Sequence, residues 1–282
     1  MKTVCRKHFV KRFGKLVRSE EALAISATYL ILFASLIAIV SVTYSFAIVK
    51  IGARGALLKA SVAKQNMQVL DDTVVSVAWS FGASKAVYID DCGGIFQVQP
   101  TMKNLLINFS DEQSFCDIVF NSSVGKAFYE LEPSEFNYEM LYIRGDHRAI
   151  INQSFSTMTQ LYVSTGDDAK KLTLCYRPSA TVVAVGTNNG KPLNLIRVYI
   201  LNLNYSQTLA LRGKFYLRVT GLNVTIDTRQ YEFNQSVSSL AIKAIFDETV
   251  SVVRLPISSN TEGAFVNLEL VISNIRIQKA DV

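Results

Sequence analysis

Ala22 to Val49 forms a run of 28 residues without a charge, preceded by a cationic segment and followed by a mixed polar and apolar pattern. As an α-helix it would measure about 42 Å against a hydrocarbon core of about 30 Å, which predicts a transmembrane helix with room to tilt. No proline follows until Pro100. Ile51, Leu58, Val62, Val69, Leu70, Val74, Val77 and Phe81 recur at helical spacing, so the helix is expected to continue as a stem to Phe81. Lys59, Lys64, Gln65, Gln68 and Asp72 fall on the opposite, solvated face. Gly52 and Gly55 each disfavour helix by about 1 kcal/mol relative to Ala, so a bend is expected near them. The apolar stripe has two possible partners, neighbouring copies or the chain's own distal domain, and the pattern does not choose between them.

Beyond Gly82 the period changes from helical to alternating. Short runs rich in β-branched and aromatic residues predict strands at Ala86 to Asp90, Ile95 to Gln99, Cys116 to Phe120, Lys126 to Glu132 and Glu139 to Arg144. Others are expected at Gln160 to Ser164, Lys171 to Tyr176 and Thr181 to Gly186. Turn signals separate them: Asp91-Cys92-Gly93-Gly94, Thr165-Gly166-Asp167-Asp168 and Asn188-Asn189-Gly190. Lys214 to Thr220 alternates, with Phe215, Leu217 and Val219 on one face and Lys214, Tyr216, Arg218 and Thr220 on the other, so one sheet face is wet. Asn194 to Leu203 is apolar on both sides and reads as a central strand. The fold class expected is α+β: a long N-terminal transmembrane helix followed by an antiparallel, all-β, sandwich-like extracellular head. The segments are a basic leader over 1–19, a stem over 20–81 with its membrane part at 22–49, and the head over 82–282, in one or two packed units with a seam near Arg177-Pro178.

Charge refines this picture. The net charge of +6 suggests nucleic acid until its location is read. Lys2, Arg6, Lys7, Lys11, Arg12, Lys15 and Arg18 place seven cations in the first nineteen residues with no acid among them, and the remainder carries a net charge of −1. No nucleic-acid partner is therefore expected. The same cations orient the N-terminus toward the cytoplasm and the head outward, a single-pass membrane protein with the bilayer as its first partner. A cleaved secretory signal with Ser45-Phe46-Ala47 as its processing site is the competing reading; its apolar core would be well above the ~7–15 residues such signals carry.

Ser19 suits a helix N-cap, and Glu20 and Glu21 place carboxylates in a first turn, where the helix dipole favours them by about 0.3–1 kcal/mol each. A basic leader, a small residue, acidic residues and a long apolar helix opening a strand-rich chain together resemble archaeal type IV pilin-like surface proteins with a class III, prepilin-type signal peptide. The resemblance covers mainly residues 1–81. It implies cleavage after a small residue preceded by Lys or Arg, which Arg18-Ser19 fits, leaving Glu20 as the first mature residue. Members of the family often carry Glu at the fifth mature position; a cut after Ser19 puts Ala24 there, and a cut after Gly14 puts Ser19 fifth and Glu20 sixth. The resemblance further implies a prepilin-type peptidase, an assembly ATPase and a membrane platform protein as partners, and assembly with identical or other pilin-like subunits through the hydrophobic helix. The other reading is a single-pass, membrane-anchored β-sandwich binding module, an adhesin or solute-capturing accessory whose helix stays in lipid.

Candidate chemistry elsewhere is sparse. N-glycosylation acceptor patterns occur at Asn108, Asn121, Asn152, Asn204, Asn223 and Asn234, against about 2.4 expected by chance for sixteen Asn, and all lie in the outward-facing part. Cys5 lies in the leader, while Cys92, Cys116 and Cys175 are disulfide candidates in the head, as Cys92 with Cys116 or Cys92 with Cys175; free buried thiols are the alternative. Asp90-Asp91 and Asp167-Asp168 are carboxylate pairs in glycine-containing loops, without the spacing of a calcium loop. Trp79 is expected to bury against the head, and Tyr129, Tyr138 and Tyr142 suggest a ligand strip that core packing would equally explain. With only His8 and His147, and no glycine-rich phosphate loop, the sequence offers no catalytic set, metal site or cofactor site.

Overall fold

The computed structural model describes residues 4–111, 114–131, 140–152, 157–165 and 170–280. Helix α1 spans Val4–Val77. Among the described residues sixteen strands follow in chain order. They are β1 Ser84–Ile89, β2 Ile95–Gln99, β3 Asn104–Ser110, β4 Cys116–Ser123, β5 Lys126–Leu131, β6 Met140–Arg144, β7 Ile151–Asn152 and β8 Thr159–Thr165. After them come β9 Lys170–Tyr176, β10 Ser179–Asn188, β11 Lys191–Asn202, β12 Leu209–Leu211, β13 Phe215–Phe233, β14 Ser239–Phe246, β15 Thr249–Pro256 and β16 Ala264–Lys279. The chain forms two compact units, Met1–Leu57 and Leu58–Val282, and α1 contributes to both.

The helix begins earlier than its capping signals suggest. Ser19, expected as the N-cap, lies inside α1, and the first turn of the helix carries no acidic residue. The reason is local: 4–18 holds no proline and one glycine, Gly14, so nothing there stops the helix from extending into the basic leader. Gly52 and Gly55 are both helical. At its other end α1 stops at Val77, short of the expected Phe81, which is 82% exposed beyond it.

The strands form three sheets. The first has the order β1-β13-β16-β11-β10-β7, the second β12-β2-β5-β9-β8-β6 and the third β15-β14-β3-β4. Pairing is mostly antiparallel, with one departure from expectation: β11 runs parallel to β16, and β7 parallel to β10. The long connection from β11 to β16 passes through β12 to β15, which gives the crossover a parallel pair requires. Strand β11 has neighbours on both sides, as its two-sided apolar pattern predicts. Between β10 and β11, Asn189 and Gly190 both take positive φ, the two-residue hairpin expected from Asn188-Asn189-Gly190. At Arg177-Pro178 the chain leaves β9 in the second sheet and enters β10 in the first.

Two hydrophobic cores organise the second unit. One gathers Met67, Leu70 and Val74 of α1 with Ile89, Phe96, Tyr129, Leu174, Leu217 and Ile277. The other gathers Ile107 and Phe109 of β3, Ile242 and Phe246 of β14, Ile196 of β11 and Leu268 of β16. Strand β16 serves both, with Val266, Leu268 and Leu270 in the second core and Ile275 and Ile277 in the first. Strand β13 supplies Phe215, Leu217 and Val219 to the first and packs Tyr231 and Phe233 on the second. On that flank Arg229 donates to the Asp117 carboxylate and to the Ile118 and Val119 carbonyls of β4, so side-chain hydrogen bonds join two sheets that share no ladder.

Candidate functional site

The most distinctive chemical feature is the apolar stretch of α1. From Ile25 to Val49 every residue is exposed, including Leu30, Phe33, Leu36, Ile39 and Phe46. This is one helix long and apolar enough to cross a membrane, near the N-terminus. Its polar side chains suit lipid: Ser35 Oγ donates to the Leu32 carbonyl at 2.8 Å and Thr43 Oγ1 to the Ile39 carbonyl at 2.8 Å, so the hydroxyls are satisfied within the helix. Lys50, the first charge after the stretch, stands 5.4 Å from the Phe46 ring centroid. Arg18, Ser19, Glu20 and Glu21 all lie within α1.

In the second unit the last turns of α1 are held by polar contacts as well as by the core. Ala63, Asn66, Met67, Leu70, Asp71, Thr73, Val74, Val77 and Ala78 are buried, whereas Leu58 and Val69 of the expected stripe are exposed and Val62 is half-buried. Hydropathy alone misplaces this face because three of its members are polar. Asp71, 1% exposed, accepts from Thr159 Oγ1 at 2.8 Å, the Tyr176 hydroxyl at 3.0 Å and Arg144 Nη1 at 2.6 Å. Arg144 Nη1 also donates to Asp72 at 2.6 Å. Burial, with the Asp71 carboxylate beside it, pushes the Tyr176 hydroxyl well above its ordinary pKa, so it stays a donor. Asn66 Nδ2 donates to the Asp90 carbonyl at 2.8 Å, and its Oδ1 accepts from the Asp90 amide at 3.2 Å.

The helix end is fixed as tightly. The Ser273 hydroxyl of β16 donates to the Ala78 carbonyl. The Gly82 amide donates to the Gly221 carbonyl at 2.8 Å, and the Gly221 amide to the Ala83 carbonyl at 2.9 Å. Gly221 sits at a bulge in the β13 to β16 ladder, and a Cβ there would lie 2.5 Å from the Val77 carbonyl oxygen and 2.8 Å from that of Ser80. Trp79 is not buried as expected but exposed, with one edge of contact: its ring stands edge-on to Tyr199 at 5.6 Å.

The remaining candidates are dispersed. Asn121, Asn223 and Asn234 are exposed, while Asn108, Asn152 and Asn204 are half-buried. Cys92, Cys116 and Cys175 are free thiols: Cys92 lies in the first core, Cys175 in the second, and Cys116 is exposed, so neither candidate pairing is made. Burial raises the Cys92 thiol and pushes that of Cys175 up to about 11. Asp91 accepts from the Gly93 amide at 2.8 Å, the turn-forming role of such a residue, and Asp167-Asp168 lie outside the described residues. Among the described residues no group of three or more His, Cys, Asp or Glu could hold a metal ion. Of the three tyrosines, Tyr129 is buried in the first core and Tyr142 packs on Tyr162 at 5.3 Å, while Tyr138 lies outside the described residues.

Sequence reading missed two buried charges, Asp71 and Arg177. Arg177, 0% exposed, pairs through Nη1 with the Asp146 carboxylate and donates to the Asp146, Arg148 and Thr157 carbonyls. Its position directly before Pro178, at a change of sheet, is the only trace of that role in the sequence.

No family model, curated protein or solved structure matches the chain.

Proposed function

We propose that the chain is a pilin-like structural subunit of an archaeal cell-surface filament or pseudopilus, assembled through its N-terminal hydrophobic helix. The supporting observation is the uncharged run from Ile25 to Val49, exposed at every residue. An apolar surface of that extent needs lipid or other apolar helices around it. In this reading the bilayer covers it first. After leader removal by a prepilin-type peptidase, identical or related helices replace the lipid, driven by an assembly ATPase on a membrane platform. The basic leader lies in the cytoplasm and the sandwich-like β head lies outside, where some of its six acceptor asparagines carry sugar.

Ala24, at the fifth position after a cut at Ser19, favours a second reading, because it lacks the carboxylate that the family often places there. In that reading the chain is a single-pass anchor for an extracellular binding module, and the helix remains in lipid. Intact-mass measurement of the mature N-terminus, with electron microscopy of sheared surface material, separates the two. A start at Glu20 with filaments containing the chain supports the subunit; an uncut Met1 without filaments supports the anchor; a start at Ile48 removes both.

A further inference from the structure

One face of the first sheet carries charge and aromatic surface for which the packing of the head gives no use. Strand β1 pairs with β13 through Tyr88↔Tyr216, Ala86↔Arg218 and Ser84↔Thr220. Strand β13 pairs with β16 through Arg218↔Gln278 and Thr220↔Arg276. Alternation puts Lys214, Tyr216, Arg218 and Thr220 on the face opposite Phe215, Leu217 and Val219, which fill the first core. Ser84 Oγ and Thr220 Oγ1, 3.0 Å apart, hydrogen-bond across this outer face. Tyr88 and Tyr216 are 44% and 40% exposed, with ring centroids 5.1 Å apart, and Arg218 and Arg276 are exposed.

The register makes Arg218 and Arg276 diagonal neighbours on adjacent strands, about 7–8 Å apart at Cα and within reach of each other's side chains. Like charges so placed repel, and among the described residues neither has an ion pair. The acid beside this face, Asp90, is engaged by Lys214 at 3.4 Å and by the Tyr88 hydroxyl at 3.3 Å. A sheet face with two adjacent exposed phenol rings and two guanidinium groups that have no ion pair among the described residues suits an extended, anionic ligand. Sugar rings offer C–H faces to tyrosine, and their carboxylate or sulfate groups accept bidentate hydrogen bonds from arginine. A lipid surface would instead call for Trp, Phe or Leu to enter the headgroup layer, and this face presents none of these.

We propose that the β1-β13-β16 face, through Tyr88, Tyr216, Arg218 and Arg276, binds an acidic polysaccharide. The site goes beyond the subunit and anchor readings and is compatible with both. The test uses the full chain in nonionic detergent, measuring binding to polygalacturonate and dextran sulfate, with uncharged dextran and anionic lipid vesicles as comparisons. The basic leader is unchanged in every variant, so a difference between variants reports this face. The expected result is that R218E/R276E weakens binding to at least one of the two acidic polymers by on the order of tenfold and flattens its salt dependence. Y88A/Y216A weakens it severalfold at unchanged salt dependence, and both double variants stay folded at the assay temperature, with the loss of the Tyr88–Tyr216 ring pair lowering the thermal midpoint by only a few degrees. Equal binding by wild type and R218E/R276E to both polymers overturns the proposal. So does equal binding of uncharged dextran, or a loss on charge reversal confined to the vesicles.

Discussion

Two carboxylates, buried Asp71 and the Asp146 that pairs with buried Arg177, set the energetics at the level of single residues. Asp71 has no role in the hydrophobic pattern, yet it is the point where α1 meets Thr159, Tyr176 and Arg144. Replacing it with Asn keeps the volume but leaves Arg144 with only Asp72 and strips two donors of a charged acceptor. Because Arg144 is a third exposed, we expect a loss at the lower end for a broken buried pair, about 2–3 kcal/mol, read as a lowered midpoint in denaturant titration of the full chain. Asp146 gives the pH dependence. Hydrogen bonds from Arg148 and then Arg177 hold its carboxyl well below the usual range against the opposing effect of burial. A carboxyl depressed in the folded state contributes stability above its unfolded pKa of about 4, and that contribution drains away as the pH falls below this value. The unfolding midpoint should therefore fall progressively from about pH 5 down through the depressed folded-state value, and Asp146→Asn should make that fall shallower. Neither charge is legible from the sequence, because spacing along a chain does not say which polar residue will find buried partners.

Among the elements, local signals were readable and long-range ones were not. Strand β2 occupies the expected Ile95 to Gln99, and the Asn189-Gly190 turn forms where glycine and asparagine permit positive φ. The alternation of Phe215, Leu217 and Val219 appears as buried positions between exposed ones. Strand β3 gives only a weak signal, although Leu105, Ile107 and Phe109 alternate inward, because Leu106 between them blurs the period. Parallel pairing of β11 with β16 lies beyond any local pattern, since the partners are about 70 residues apart. The stem face departs from the pattern for a related reason: Asn66 and Asp71 are inside because remote residues bond them, and Thr73 because its hydroxyl donates back to the Val69 carbonyl. Gly221 shows the same dependence on a remote neighbour. Gly221→Ala should cost about 1–3 kcal/mol through its clash with the backbone oxygens of Val77 and Ser80, measured as a lowered thermal midpoint with the strand signal of the native state intact.

For the whole molecule, the apolar helix was the most legible feature, because hydropathy over 28 residues needs no tertiary information. Leu36 lies at the middle of that run and is exposed. On the proposed reading of α1 as a membrane helix, Leu36→Arg should raise the cost of insertion by about 3 kcal/mol, moving part of the chain from the carbonate-resistant membrane fraction to the supernatant.

Gly221 and Ser273, which hold the end of α1, stand on β13 and β16 between the stretches that feed the two cores. A pull arriving through the final helical turns would therefore reach two long, mutually bonded strands that each run through both cores, so neither core should loosen without slackening the seat of the helix.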